Sequence, residues 1–342
     1  MYLLNKDYLE FRCQDTTGYI SNFISNSPQK LYIISPTVKL SKTVDLKYYS
    51  RWYLKCFDII INEQKVGYLY TEPIRNTYYS NKEIVSIRID NETLYSSEYN
   101  VIVDQILSEL QFNIKGITRL DIAYDTDIDL LKRFKKFYNN IEKYTYKNRG
   151  KTTVNGTGQY DTQITIGSLR GQGKTIMVYD KSSLLRQQSK EYLMEMYQQV
   201  FGHKNIYRIE VRLTSRSLNK YEIDLMKLGD KEYLEGIFSY FMESLIDFRK
   251  TGSNKNVSRQ DKVQFLTLNG GMELPKRIVS PNKIKGDNNM KYLIWKIHCD
   301  RDKEEFAMIA REMKVVERKY VELSELNEWV RNKVIKRDHE VK

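Results

Sequence analysis

Three short segments alternate apolar and polar side chains with a period of two, and they constrain the fold more than any other feature of the chain. In RLDIAYD (Arg119–Asp125), Leu120, Ile122 and Tyr124 fall on one face, while Arg119, Asp121, Ala123 and Asp125 fall on the other. In YRIEVRL (Tyr207–Leu213), Ile209, Val211 and Leu213 oppose Arg208, Glu210 and Arg212. In TIMVYDK (Thr175–Lys181), Ile176 and Val178 oppose Met177, Tyr179 and Lys181. Successive strand side chains point to opposite faces of a sheet. Each segment is therefore expected to be a strand with one face for helices to cover and a second face bearing charge or a tyrosine.

The rest of the chain supplies partners for these strands. LYIISPTVKL, YLKCFDIIIN, VGYLYTE and EIVSIRIDN are β-branched and aromatic runs that predict further strands, the second and third joined by a hairpin at N-E-Q-K. Tyr99, Ile102, Val103, Ile106, Leu107 and Leu110 recur at helical spacing. Helices are also predicted over DIDLLKRFKKFYNNI, SLLRQQSKEYLMEMYQQVF and DKEYLEGIFSYFMESLIDF. The pattern loosens after residue 250, and two helices are predicted near the end, around EEFAMIAREMKVV and VELSELNEWVRNKV. The expected fold class is α+β: a central, largely antiparallel sheet with helices packed on one face, then a mainly helical C-terminal region. The expected division is a catalytic region, residues 1–250, and a linker with a basic helical region, 251–342, for DNA binding or dimerisation.

Charge narrows the partner. Fifty-six Lys and Arg face 44 Asp and Glu, a net +12, and such a surface attracts polyanions, nucleic acid first. Residues 251–342 hold 20 Lys and Arg against 14 Asp and Glu, so half the excess lies there. No run of 18 apolar residues exists, and the first segment, MYLLNKDYLEF, carries charges inside its apolar part, unlike a secretory signal. Three scattered cysteines, Cys13, Cys56 and Cys299, fit a reduced cytoplasm better than a disulfide framework or zinc site. His203, His298 and His339 are isolated, which excludes a His-cluster metal site.

The stretch GSLRGQGKTIMVYDK (Gly167–Lys181) ends its glycine run like a P-loop, but the pattern fails. A P-loop needs its first glycine at the position held by Ser168, and a helix opening at the lysine. Ile176, Met177 and Val178 favour a strand instead. A hairpin turning through R-G-Q-G accounts for the glycines better.

If the three strands share a sheet with their polar faces aligned, Asp121, Asp125 and Glu210 converge near Tyr179. Carboxylate oxygens suit a hard divalent cation, Mg²⁺ or Mn²⁺. A tyrosine beside such a group is a candidate nucleophile toward a phosphodiester, with Lys181 as its helper. Arg119, Arg170, Lys174, Arg208 and Arg212 are the candidate phosphate contacts. The same charges also suit a solvated sheet face with cross-strand ion pairs. Tyr192 and Tyr197 sit in a helical pattern and read as packing.

At TRLDIAYD, ITIGSLRGQGKTIMVYDK and YRIEVRL the sequence resembles the Rep-trans family of rolling-circle replication initiators, found in small plasmids and some phages. The motifs span about residues 84–215 in the family's order. The resemblance implies a metal-dependent endonuclease and strand transferase acting at a DNA origin. It places the nucleophile on Tyr179 and the metal-binding acids on Asp121 and Glu210, with Asp125 as a second recurrent acid. It also implies a homodimer working with a host helicase and polymerase. A relaxase of a mobilisable element, a non-catalytic DNA-binding initiator and an ATPase are the other classes to separate.

Overall fold

The computed structural model describes residues 1–24, 29–43, 53–73, 83–146, 152–157, 160–185, 191–252, 256–266, 268 and 275–278. The chain divides into two compact units, 1–277 and 278–342, and the fold is that of the first. The two helices expected near the end of the chain lie outside the described residues.

Among the described residues, eleven strands form one sheet: β1 (Tyr2–Asp15), β2 (Leu31–Ile33), β3 (Val38–Lys42), β4 (Tyr53–Ile61), β5 (Gln64–Pro73), β6 (Ile84–Ile89), β7 (Phe112–Thr126), β9 (Thr152–Thr157), β10 (Tyr160–Ser168), β11 (Lys174–Asp180) and β12 (Tyr207–Thr214). A twelfth, β8 (Tyr144–Tyr146), pairs apart from it with the segment Phe248–Lys250. The order across the sheet is β2-β3-β4-β5-β6-β1-β7-β12-β11-β10-β9, with antiparallel neighbours throughout. The β4–β5 hairpin turns at Asn62 and Glu63, both at positive φ (46° and 65°), as a two-residue turn of primed type requires.

Helices α1 (Asn91–Tyr95) and α2 (Tyr99–Glu109) link β6 to β7, and α3 (Leu130–Tyr138) follows β7. Three more, α4 (Leu169–Gln172), α5 (Lys181–Leu185) and α6 (Glu191–Phe201), lie around β11. Last come α7 (Ser215–Leu218) and α8 (Lys231–Glu243). Asp129 and Asp230 cap α3 and α8, each carboxylate accepting first-turn backbone N–H bonds. The core lies between the apolar sheet face and α2, α3 and α8. Leu120, Ile122, Ile176, Val178, Ile209 and Val211 meet Val103, Phe134, Ile237 and Phe238 there, all essentially without solvent exposure. Each such side chain contributes about 1.5–3 kcal/mol relative to an exposed one. The polar face is covered at one end by α6, where Leu193, Tyr197, Phe201 and Ile206 cluster with Leu3.

β1 is the centre of the sheet, although the strand reading of the sequence begins only at LYIISPTVKL. Its alternation is broken by a bulge between Lys6 and Tyr8. Lys6 stands on the apolar face, its ammonium donating to the Leu228 carbonyl (3.1 Å) and lying 3.9 Å from the Tyr99 ring centroid. The bulge turns Asp7 and Tyr8 together toward the polar face.

Candidate active site

β7, β12 and β11 are consecutive in the sheet, so the three motifs of the sequence become neighbours. Arg208 opposes both Asp125 and Tyr179, Glu210 opposes Ala123 and Met177, and Arg212 opposes Asp121 and Thr175. Directly opposed residues in antiparallel strands share a face, so Asp121, Asp125, Tyr179, Arg208, Glu210 and Arg212 all stand on one side.

They form two clusters. In the first, the Tyr179 hydroxyl donates to Glu210 Oε2 at 3.0 Å. Arg212 Nη2 donates to Glu210 Oε1 at 2.6 Å, and its Nε lies 3.2 Å from Asp121 Oδ2. Arg119 holds Asp121 in a two-toothed grip through Nε (3.0 Å to Oδ1) and Nη2. The carboxylates and the phenol are buried, while the Arg119 and Arg212 side chains are 33% and 26% exposed. Charge at the surface therefore comes from the guanidiniums, above a carboxylate layer.

The second cluster is deeper and centres on Arg208, which has no solvent exposure. Its Nε and Nη2 donate to Asp125 Oδ1 and Oδ2 at 2.6 and 2.7 Å, and its Nη1 donates to Asp7 Oδ1 at 2.7 Å. The Tyr197 hydroxyl donates to Asp125 Oδ2 (2.8 Å), and the Tyr95 hydroxyl donates to Asp7 Oδ1 (2.8 Å). Asp125 thus has both oxygens committed to Arg208 and Tyr197. Tyr197, read as packing, is packed and also hydrogen-bonded into this network.

The remaining expected residues are dispersed. Lys181 opens α5, is buried, and contributes its charge to Asp7. Lys174 stands on the helix-covered face, where its ammonium donates to Ser244 Oγ at 2.6 Å. Arg170 is exposed on α4, its carbonyl accepting from Arg216. The turn between β10 and β11 is the single helical turn α4, closed by Gly173 at φ 73°, and Lys174 begins a strand. This is the hairpin expected of the glycine run, and no helix opens at Lys174 as a P-loop would require.

Burial sets the acid strengths. Loss of solvent pushes the Asp121 carboxyl up to about 6 against the hydrogen bonds and charge of Arg119, with Glu210 repulsion adding to the rise. Burial likewise keeps the Tyr179 phenol well above its ordinary range, the positive field of Arg208 only partly offsetting it. Burial would raise Asp7 too, but Arg208, Lys181 and the Tyr95 hydrogen bond outweigh it and hold the carboxyl down at about 2.

Among the described residues, no three His, Cys, Asp or Glu side chains gather as a ligand set. Two hard-oxygen donors, Asp121 and Glu210, do share the Tyr179 face. A Mg²⁺-type ion commonly takes one or two carboxylates and fills its other positions with water and substrate phosphate; the four oxygens of this pair already accept from Arg119, Arg212 and Tyr179, so such an ion would bind them by displacing a guanidinium. Asp125 points into the Arg208 network instead. Asp7 and Tyr95 escaped the sequence reading. The signal available for Asp7 was its place in the Tyr2–Asp15 segment, whose strand alternation the bulge disguised.

A scan against protein families finds no match, and a search of curated proteins finds none. A solved structure, that of a rolling circle replication initiator protein from Geobacillus stearothermophilus, is similar over 78% of this chain and 94% of that one, at 14% identity and a TM-score of 0.43. A likeness at this level says nothing about chemistry, which is read from the side chains instead.

Proposed function

We propose that this chain initiates rolling-circle DNA replication by cutting one strand with Tyr179 and later rejoining it. The observation that carries this reading is the 3.0 Å hydrogen bond from the Tyr179 hydroxyl to Glu210, on a face shared with Asp121, Arg119 and Arg212. The sequence motifs that contribute these residues support it.

Each residue has a role in this reading. Glu210 takes the proton as the Tyr179 oxygen forms a bond to phosphorus. The bond from phosphorus to the 3′ oxygen breaks, and that oxygen leaves as a hydroxyl after taking a proton from water, to which Glu210 then returns its own. The 5′-phosphate stays on tyrosine as an ester, so the later joining step needs no ATP. Arg119 and Arg212, partly exposed, orient the scissile phosphate and balance its charge. Asp121 and Glu210 would hold Mg²⁺ or Mn²⁺, which when bound offsets charge developing on the phosphate oxygens. The Arg208 network fixes the strand register beneath Tyr179. Origin DNA is the substrate, a second copy of the chain the partner, and host helicase and polymerase extend the free 3′ end. The basic region 251–342 contributes to origin capture or dimerisation.

The test is incubation of the protein with supercoiled plasmid carrying its own replicon, with Mg²⁺ or Mn²⁺, read on a gel. Open circles with protein on the 5′ end are expected. Tyr179→Phe should lower nicking by on the order of 10³-fold or more while costing only about 1 kcal/mol of stability for one lost hydrogen bond. Unaltered nicking by that variant would exclude Tyr179, and equal activity in EDTA would exclude the ion.

A further inference from the structure

Beyond Asp121 the polar face continues across the sheet as a run of cations and aromatic rings in contact. The Arg119 guanidinium lies 4.0 Å from the Tyr8 ring centroid on β1. The Arg88 guanidinium on β6 lies 4.8 Å from the same ring and 5.6 Å from the Tyr68 ring on β5. Lys65 Nζ lies 3.8 Å from the Tyr68 ring. Register confirms a common face: Arg119 opposes Glu10, Glu10 opposes Arg88, and Arg88 opposes Tyr68. Tyr8, Arg88, Arg119 and Tyr68 are half-buried, and Lys65 is exposed. The two acids within the run are held locally: Glu10 accepts from Tyr8 (2.8 Å) and Ser86 (3.0 Å), and Asp58 pairs with Lys65 (2.9 Å).

We propose that this run, Arg119–Tyr8–Arg88–Tyr68–Lys65, is a track for single-stranded DNA leading away from Tyr179. It rests on the nicking function proposed above and names how that site holds its strand. Alternating cations and flat rings suit one ligand chemistry: a flexible polyanion carrying aromatic bases. Single-strand grooves combine the same elements, positive charge along the backbone and rings on which bases stack without sequence preference. A duplex hides its base faces and matches only the charges. Three strand spacings, about 15 Å, separate β7 from β5, a reach of a few nucleotides.

The experiment measures fluorescence anisotropy of a labelled 15-nucleotide deoxythymidine strand, and of a duplex of equal length, against the full chain. Variants are Tyr68→Leu, Arg88→Gln and Lys65→Gln, each checked for an unchanged melting curve. Tyr68→Leu should weaken single-strand binding about tenfold, with less effect on duplex. Arg88→Gln should reduce the salt dependence of single-strand binding by about 0.7 in log–log slope, a shift that a purely structural role would not give. Lys65→Gln, at an exposed position, tests the charge where folding is least at risk. Unchanged single-strand affinity in all three folded variants would overturn the track, as would equal losses on duplex. Plasmid nicking by the parent chain separates the two ideas. Tyr179-dependent nicking with unaffected variants removes the track alone, whereas no nicking with variant-sensitive binding removes the nicking function and keeps the track.

Discussion

Among the described residues, Arg208 is the largest side chain with no solvent exposure, and its surroundings explain how a guanidinium survives there. Burial opposes its charge, but Asp125, Tyr95 and Asp7 outweigh that cost and keep it protonated. Removing one partner from such a buried pair typically costs about 3–5 kcal/mol, because the other charge is stranded. Asp7 makes this network sensitive to acid. Its carboxyl is held at about 2, below the ordinary value near 3.9. The stabilisation is therefore complete above pH ~4 and is lost as pH falls from about 4 toward 2, a loss of about 2 kcal/mol. Urea titrations at pH 6 and pH 3 should show the midpoint dropping in the parent chain. In Asp7→Asn, already weaker at pH 6, the drop should be smaller. An equal drop in both would show that Asp7 does not carry the effect.

At the scale of elements, the connection from β10 to β11 is the most tightly specified. Gly173 has φ 73°, and a Cβ there would meet Arg216 Cβ and the Ser217 backbone nitrogen at 2.8 Å. Left-handed backbone and a clash against main chain act together, so Gly173→Ala should destabilise by about 2–3 kcal/mol, read from chemical denaturation. An unchanged midpoint would mean that α7 yields freely. This connection was legible in the sequence because Ile176, Met177 and Val178 contradict a helix after the lysine. Strands β7, β11 and β12 were legible because their alternation runs unbroken, and that placed Asp121, Glu210 and Tyr179 on one face. β1 was not, because Lys6 occupies an apolar-face position and the bulge then shifts the register. Losing β1 also hid Asp7, and with it the reason Asp125 is turned into the Arg208 network. Lys174 shares the alternation of Ile176 and Val178 and so stands on the helix-covered face, where its long amphipathic side chain lays its stem on apolar surface and bonds Ser244; reading it as a phosphate contact followed its charge and not its place in the strand.

For the molecule as a whole, the order of strands matters more than their number. β1 sits between β6 and β7 and is sixth of the eleven. It contributes Asp7 to the buried network, Tyr8 to the cation–ring run and Leu9 and Phe11 to the core, both without exposure. Deleting residues 2–15 should therefore abolish cooperative unfolding altogether. An edge-strand deletion such as residues 31–33 should leave a sharp, lowered transition. Circular dichroism melts of both deletions check this, and a cooperative melt without β1 would overturn it.

The central place of β1 also has a kinetic side. The strand is translated about a hundred residues before β7, which at ~5–20 residues per second means that roughly five to twenty seconds pass before the neighbour that completes its hydrogen bonding exists. Both of its rims are open to mispairing until β6 emerges, and one stays open until β7 does. Slowing the ribosome between these two segments would then lower the yield of soluble protein without changing a single amino acid.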